Sequence, residues 1–109
     1  MQKTIHQHAD TTVMTVSGRL DAVSAPEFER DCSGYSDARI VLDLSGLEYV
    51  SSAGLRSILT LAKQVKSGGG SLAIAGLNGL VKDVFEMSGF DSFLPLYSDL
   101  DAALAASPR

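Results

Sequence analysis

Hydrophobic and polar positions along this chain alternate with a period of two in some stretches and of three to four in others, and the switches between the two mark out its elements. Ile5 to His8 and Thr12 to Ser17 read as two short strands around the turn-like Ala9-Asp10-Thr11, with Gly18 ending the second. Val13-Met14-Thr15-Val16 is rich in residues that suit a pleated surface, so the pair is expected as a hairpin at one side of a sheet. Arg39 to Leu44 is a compact apolar strand, expected at the centre with both faces covered. Ser71 to Ala75 reads as another buried strand, and Phe93 to Tyr97 as a last short one at an edge, because Pro95 cannot donate to a ladder. Between these strands Leu55, Ile58, Leu59, Ala62 and Val65 share one stripe, which predicts an amphipathic helix from Gly54 to Lys66. Arg56, Thr60, Lys63 and Gln64 lie opposite, and Gly68-Gly69-Gly70 ends the helix.

Three further helices announce themselves at their ends. Ser24-Ala25-Pro26-Glu27 has the form of a capping box, with Ser24 accepting from the Glu27 backbone and Glu27 reaching back. Val23 and Phe28 stand where a hydrophobic staple would, and Pro26 lies in the first turn, where its missing N–H costs nothing. That helix is expected to reach Cys32 or Ser33 before Gly34. Asn78 can cap a helix carrying Leu80, Val81, Val84 and Phe85 inward, closed by Gly89. Ser98-Asp99-Leu100-Asp101 starts a terminal helix with Leu100, Ala103 and Leu104 inward, followed by a frayed tail from Ser107. Strands alternating with helices predict an α/β fold: a mixed, mostly parallel sheet of four to five strands with about four α-helices and short right-handed crossovers. No repeat or linker divides residues 1–109, so one domain is expected, with its core over about 4–106.

Composition narrows the function classes. The 109 residues are 45% hydrophobic and 20% charged, a globular balance, and the absence of Trp leaves the core to Leu, Val, Ile and Ala. With a net charge of −4 and Arg19, Arg30, Arg39, Arg56, Lys63, Lys66 and Lys82 scattered along the sequence, nucleic acid is not expected as a partner. Cys32 is the sole cysteine and forms no internal disulfide. Met1 to His6 has no apolar stretch resembling a signal peptide, and no run is long enough for membrane insertion, so a cytoplasmic location is expected.

The chemistry concentrates in Leu44 to Leu55. A buried strand leads through a tight connection into a helix, and the carboxyl ends of strands in open α/β sheets are where ligands and partners bind. With Ser51 as N-cap, Val50 and Leu55 can staple the helix, and Ser52 becomes its first residue with the hydroxyl free. Gly54 costs about 1 kcal/mol relative to alanine inside a helix, which points to a place where another backbone comes close. A helix N-terminus tolerates a phosphate, with its unpaired N–H groups and partial positive charge. Geometry alone nevertheless favours a serine that only caps. The loop of Asp21 is expected at the same end of the sheet, and on its own residues Asp21 reads as a turn aspartate that helps the loop close. Asp43 reads as structural.

Other signals point away from catalysis. Gly68-Gly69-Gly70-Ser71 follows a helix and precedes a strand, the reverse of a phosphate loop. His6 and His8 lack Cys or carboxylate companions for a metal. Ser52 has no Gly-x-Ser-x-Gly elbow and no histidine placed as its base, and Cys32 reads as a core filler. A non-enzymatic protein without cofactor or metal is the expectation.

Gly18-Arg19-Leu20-Asp21 followed by Ser24-Ala25-Pro26-Glu27-Phe28 resembles the opening of STAS domains, the family of bacterial anti-sigma factor antagonists. Leu42-Asp43-Leu44-Ser45-Gly46-Leu47 and then Val50-Ser51-Ser52-Ala53-Gly54-Leu55 resemble its central signature, and the likeness runs from about Thr4 to Ala106. The resemblance implies an antagonist that binds an anti-sigma factor with serine kinase activity when unphosphorylated and releases it when phosphorylated, a serine phosphatase resetting the switch. Aligned on Gly54, the phosphoacceptor is Ser52, with Ser51 a weaker second candidate where some members carry Asp. Asp21, Ser24, Ser51, Ala53, Gly54, Leu55 and Arg56 would form the partner surface, with Thr60 beside them. The resemblance leaves two other roles open: a non-phosphorylated accessory subunit of a lipid-transport ABC system, and a nucleotide-binding module, the latter without a phosphate-gripping motif here.

Overall fold

A hairpin opens the fold: in the computed structural model of the protein, which describes residues 1–92 and 94–106, β1 (Gln2–His8) and β2 (Thr11–Leu20) pair antiparallel, His8 facing Thr11. Ala9 makes the turn with a positive φ of 54°. β2 does not stop at Gly18. A φ of +81° there lets the strand shift register between Gly18 and Arg19 and continue to Leu20.

That shift gives β2 two parallel partners. Its first half pairs with β3 (Arg39–Asp43), and its last residues pair with β4 (Leu47–Val50), a short strand the sequence pattern did not announce. β5 (Ser71–Ala75) lies beside β3, and β6 (Leu96–Tyr97) forms the far edge, so the main order is β1-β2-β3-β5-β6. The sheet is therefore six-stranded, one more than the upper expectation, and β4 is the addition. Phe93, expected within the last strand, lies outside the described residues, as do residues 107–109.

The helices divide between the faces. Phe28 of α1 (Ala25–Cys32), Ile58 and Leu61 of α2 (Ser52–Ser67), and Val81 and Phe85 of α3 (Gly79–Met87) join Ile40, Leu42 and Ile74 of the sheet in the main core. The short α4 (Leu100–Ala105) covers the other face, where Ala103 meets Val41 and Ala75. The alternation Ile40, Val41, Leu42 thus serves both layers, as expected of a central strand. Fully burying one such Leu, Ile or Phe contributes roughly 1.5–3 kcal/mol.

Three end signals resolve differently from expectation. Ser24 is the N-cap residue of α1, but its hydroxyl makes no capping bond to Glu27. Val23 is 89% exposed, so no staple forms with the buried Phe28. Asn78 spends its amide on the carbonyls of Ser45 (3.2 Å) and Gly76 (3.0 Å) and does not cap α3 through its side chain, and Leu80 is 80% exposed instead of facing in. In each case a polar loop partner outcompetes the local helix signal. Pro26 does sit in the first turn of α1, and Asp99 caps α4 by accepting from Ala102 N at 2.8 Å.

Candidate functional site

Two loops lie side by side because β2 and β4 run parallel to adjacent ends. Leu20 faces Val50, and Ser51 N donates to the Leu20 carbonyl oxygen at 3.0 Å. Asp21 and the first turn of α2 therefore share one end of the sheet, as the sequence suggests.

The first loop is closed by Asp21. Its Oδ1 accepts from Val23 N (3.1 Å) and Ser24 N (3.2 Å), an aspartate turn that lifts Val23 into solvent. Ser24 Oγ accepts from Asp21 N at 3.0 Å, and its proton faces the Arg19 carbonyl oxygen (3.0 Å) and Asp21 Oδ1 (3.2 Å). The backbone bond from Ser24, then that from Val23 and the Ser24 hydroxyl, hold the Asp21 carboxyl below the usual aspartate range, with a smaller contribution from Arg19. Arg19 Nε lies 3.6 Å from Asp21 Oδ2, and the same guanidinium sits 4.1 Å above the centre of the Tyr49 ring. Sequence reasoning singled out neither the Arg19–Tyr49 stack nor the exposed Val23. The first follows from the register of the unannounced β4, and the second from hydrogen bonds the capping-box pattern conceals.

The second loop starts α2. Ser51 is extended and its Oγ accepts from Gly54 N at 3.2 Å, so it is the N-cap. Ser52 is the first helical residue, exposed, and its hydroxyl has no hydrogen-bond partner among the described residues. Gly54 is buried. A Cβ built there would fall on the Leu20 carbonyl oxygen and stand 2.9 Å from Val50 Cγ2, which is the close backbone approach the misplaced glycine foretold. Leu55 packs partly against the main core and Val50 lies within it, while Arg56 points to solvent. Ser57, which the sequence did not single out, is fully buried and donates to the Gly54 carbonyl oxygen at 2.7 Å. Asp21, Ser24, Ser51, Ser52, Ala53, Leu55 and Arg56 thus come to one end of the fold, with Gly54 beneath them as the contact that sets the helix against β2.

Elsewhere the chemistry is structural. Asp43 Oδ1 accepts from Ser45 N at 3.1 Å. Cys32 is buried with Sγ 3.5 Å from Met14 Sδ, and burial pushes its thiol up to about 12. His6 and His8 are exposed on β1, and no cluster of His, Cys, Asp and Glu suited to a metal occurs among the described residues. No described helix is long and apolar enough to cross a membrane.

This arrangement has relatives. BtrV of Bordetella bronchiseptica, named as an anti-sigma factor antagonist, is 36% identical over 109 residues, spanning 97% of this chain and 94% of that protein. The crystal structure of an anti-sigma factor antagonist from Mycobacterium paratuberculosis superposes with a TM-score of 0.86 at 26% identity, covering 94% of this chain and 90% of that one. The fold is also that of the Bacillus cell fate determinant SpoIIAA in its phosphorylated form, at a TM-score of 0.73, 17% identity and coverage of 94% and 96%. The STAS domain family matches residues 2–103, and the chain belongs to that family.

Proposed function

We propose that the protein is an anti-sigma factor antagonist that works by partner switching. With Ser52 unmodified it binds an anti-sigma factor that is also a serine kinase; with Ser52 phosphorylated it lets that partner go, and a serine phosphatase restores the binding form. The observation that carries this reading is Ser52 itself: an exposed hydroxyl without a hydrogen-bond partner, at the first position of a helix whose N-terminus lies against the Asp21 loop. The names of its relatives agree, and SpoIIAA, which shares the fold, has a phosphorylated form.

The physical chemistry is consistent with a reversible switch. Ser51, not Ser52, caps the helix, so a group added at Ser52 displaces no structural bond. A phosphate adds about −1.5 to −2 charges where free N–H groups and the helix dipole tolerate them, so the fold persists while the surface changes. The Asp21 loop, Ser51, Ala53, Leu55 and Arg56 would form the contact surface, and a phosphate in its midst would have to be desolvated on docking.

Comparative capture from the native cytosol with wild type, Ser52→Ala and Ser52→Asp tests the proposal. Retention of a serine kinase by wild type and Ser52→Ala, and its loss with Ser52→Asp, is expected. Equal capture of one partner by all three, a transporter ATPase for example, would replace the switch with a scaffold.

A further inference from the structure

α2 carries three of the chain's nine Lys and Arg residues and none of its thirteen Asp and Glu residues. At about 100° per residue, Ser52, Arg56, Leu59, Lys63 and Lys66 fall on a single stripe of this helix, running for roughly 21 Å from its first residue almost to its last. Arg56, Lys63 and Lys66 are exposed, and among the described residues none of them takes part in an ion pair. A chain that is acidic overall thus presents along α2 a cationic ridge with no ion-pair partner among the described residues, and the ridge begins at Ser52.

The ridge borders an apolar depression. Lys63 and Lys66 rim an open groove of about 340 Å³ whose floor is Leu59, Ala62, Val65, Leu72 and Leu94. Cations on the rim and aliphatic side chains in the floor are complementary to an amphipathic segment with acidic flanks.

We propose that this stripe is the seat for an acidic amphipathic helix of the protein's partner, with apolar residues in the Leu59–Leu72–Leu94 groove and carboxylates on Arg56, Lys63 and Lys66. The inference rests on the partner-binding reading, but places the contact well beyond Ser52. It also gives the switch a second lever: a phosphate on Ser52 stands one turn from Arg56, at the spacing where opposite charges on a helix meet, and would draw that cation away from the partner.

The test is a titration of the ¹⁵N-labelled protein with a synthetic acidic peptide carrying Leu at helical three-and-four spacing between Glu residues. The controls are a scrambled peptide and one with Lys in place of Glu. Amide shifts are expected along residues 56–66 and at Leu72, with affinity falling about tenfold in the double variant Lys63→Glu/Lys66→Glu and at 0.5 M salt, and little in Lys82→Glu on α3. Shifts confined to Val23 or to Leu80 and Met87 would overturn the proposal, as would equal binding of the Lys peptide. Sedimentation of the free protein as a dimer that Lys63→Glu/Lys66→Glu dissolves would overturn it too, by giving the ridge to a second copy, whose α1 offers Glu27 and Glu29. Failure of this mapping alongside a Ser52-sensitive capture removes only the seat. Intact mapping alongside a capture indifferent to Ser52→Asp removes only the switch.

Discussion

Gly54→Ala puts a methyl where the molecule has no room. The added Cβ falls on the Leu20 carbonyl oxygen and comes within 2.9 Å of Val50 Cγ2 and 3.0 Å of the Leu20 carbonyl carbon. On an isolated helix the same change gains about 1 kcal/mol. Here the obstacle is backbone, held in turn by Ser51 N at 3.0 Å, so the first turn of α2 must withdraw from β2 and strain the bond that joins the two loops. Overpacking costs about 1–3 kcal/mol, and an obstacle made of backbone puts this site in the upper half of that range, so a net loss of about 1–2 kcal/mol remains after the propensity gain. With roughly 4–8 °C per kcal/mol for a domain near this size, the melting temperature should drop by about 5–15 °C. Gly34→Ala is the matched control, since nothing lies within 4 Å of its Cβ position and its φ lies outside the left-handed region. It should stay within about 0.5 kcal/mol of wild type. Paired urea titrations read both variants on one scale. A Gly54→Ala protein as stable as wild type, or more so, would refute the claim that close packing against Leu20 requires this glycine.

Three further outcomes are expected. Ser51→Ala removes the acceptor for Gly54 N and should cost about 1 kcal/mol in the same titration, whereas Ser52→Ala, which removes no bond, should be close to neutral. Lys3 and Asp31 pair at 2.8 Å, which holds the Asp31 carboxyl below its ordinary 3.8 and raises Lys3. The depressed carboxyl contributes stability above its unfolded value and loses it as pH falls through the folded one, so wild type and Asp31→Asn should differ at neutral pH and converge in acid, once the carboxyl is protonated in the folded protein too. A gap that persisted in acid would contradict this. The buried Cys32 thiol, pushed up to about 12, should resist a thiol-specific reagent in the native protein at pH 8 and react at once in denaturant. Rapid native labelling would place it at the surface.

How much of this was legible in the sequence depended on whether a residue's partner was local. The Ser51 cap and the misplaced Gly54 could be read because both are consequences of one helix start, and Gly54 even foretold a neighbouring backbone, though not that it was Leu20. The β3 and β5 strands were legible from unbroken apolar runs. β4 was not: four residues with Glu48 and Tyr49 both exposed show neither alternation nor an apolar run. It exists because the shift at Gly18 turns β2 toward a second partner. Ser24 and Asn78 were misread for the same kind of reason. Each carries a helix-capping side chain, and each finds a better partner in the loop, the Arg19 carbonyl and Asp21 for one and the Ser45 carbonyl for the other. The end of the sheet that gathers the candidate site was legible, and the Arg19–Tyr49 stack and the lifted Val23 were not, because they depend on that tertiary register.

The central claim is that one serine carries the switch, and its most direct test is chemical. The protein should be incubated with its captured kinase and ATP, the modified residue located by tandem mass spectrometry, and the affinity of the purified modified form measured by calorimetry. The account predicts a phosphate on Ser52 and binding weakened by roughly 30-fold or more, the scale of a charge left uncompensated in a docked interface. A phosphate on Ser51 or elsewhere, or a Ser52-phosphorylated form that binds as tightly as the unmodified chain, would contradict it.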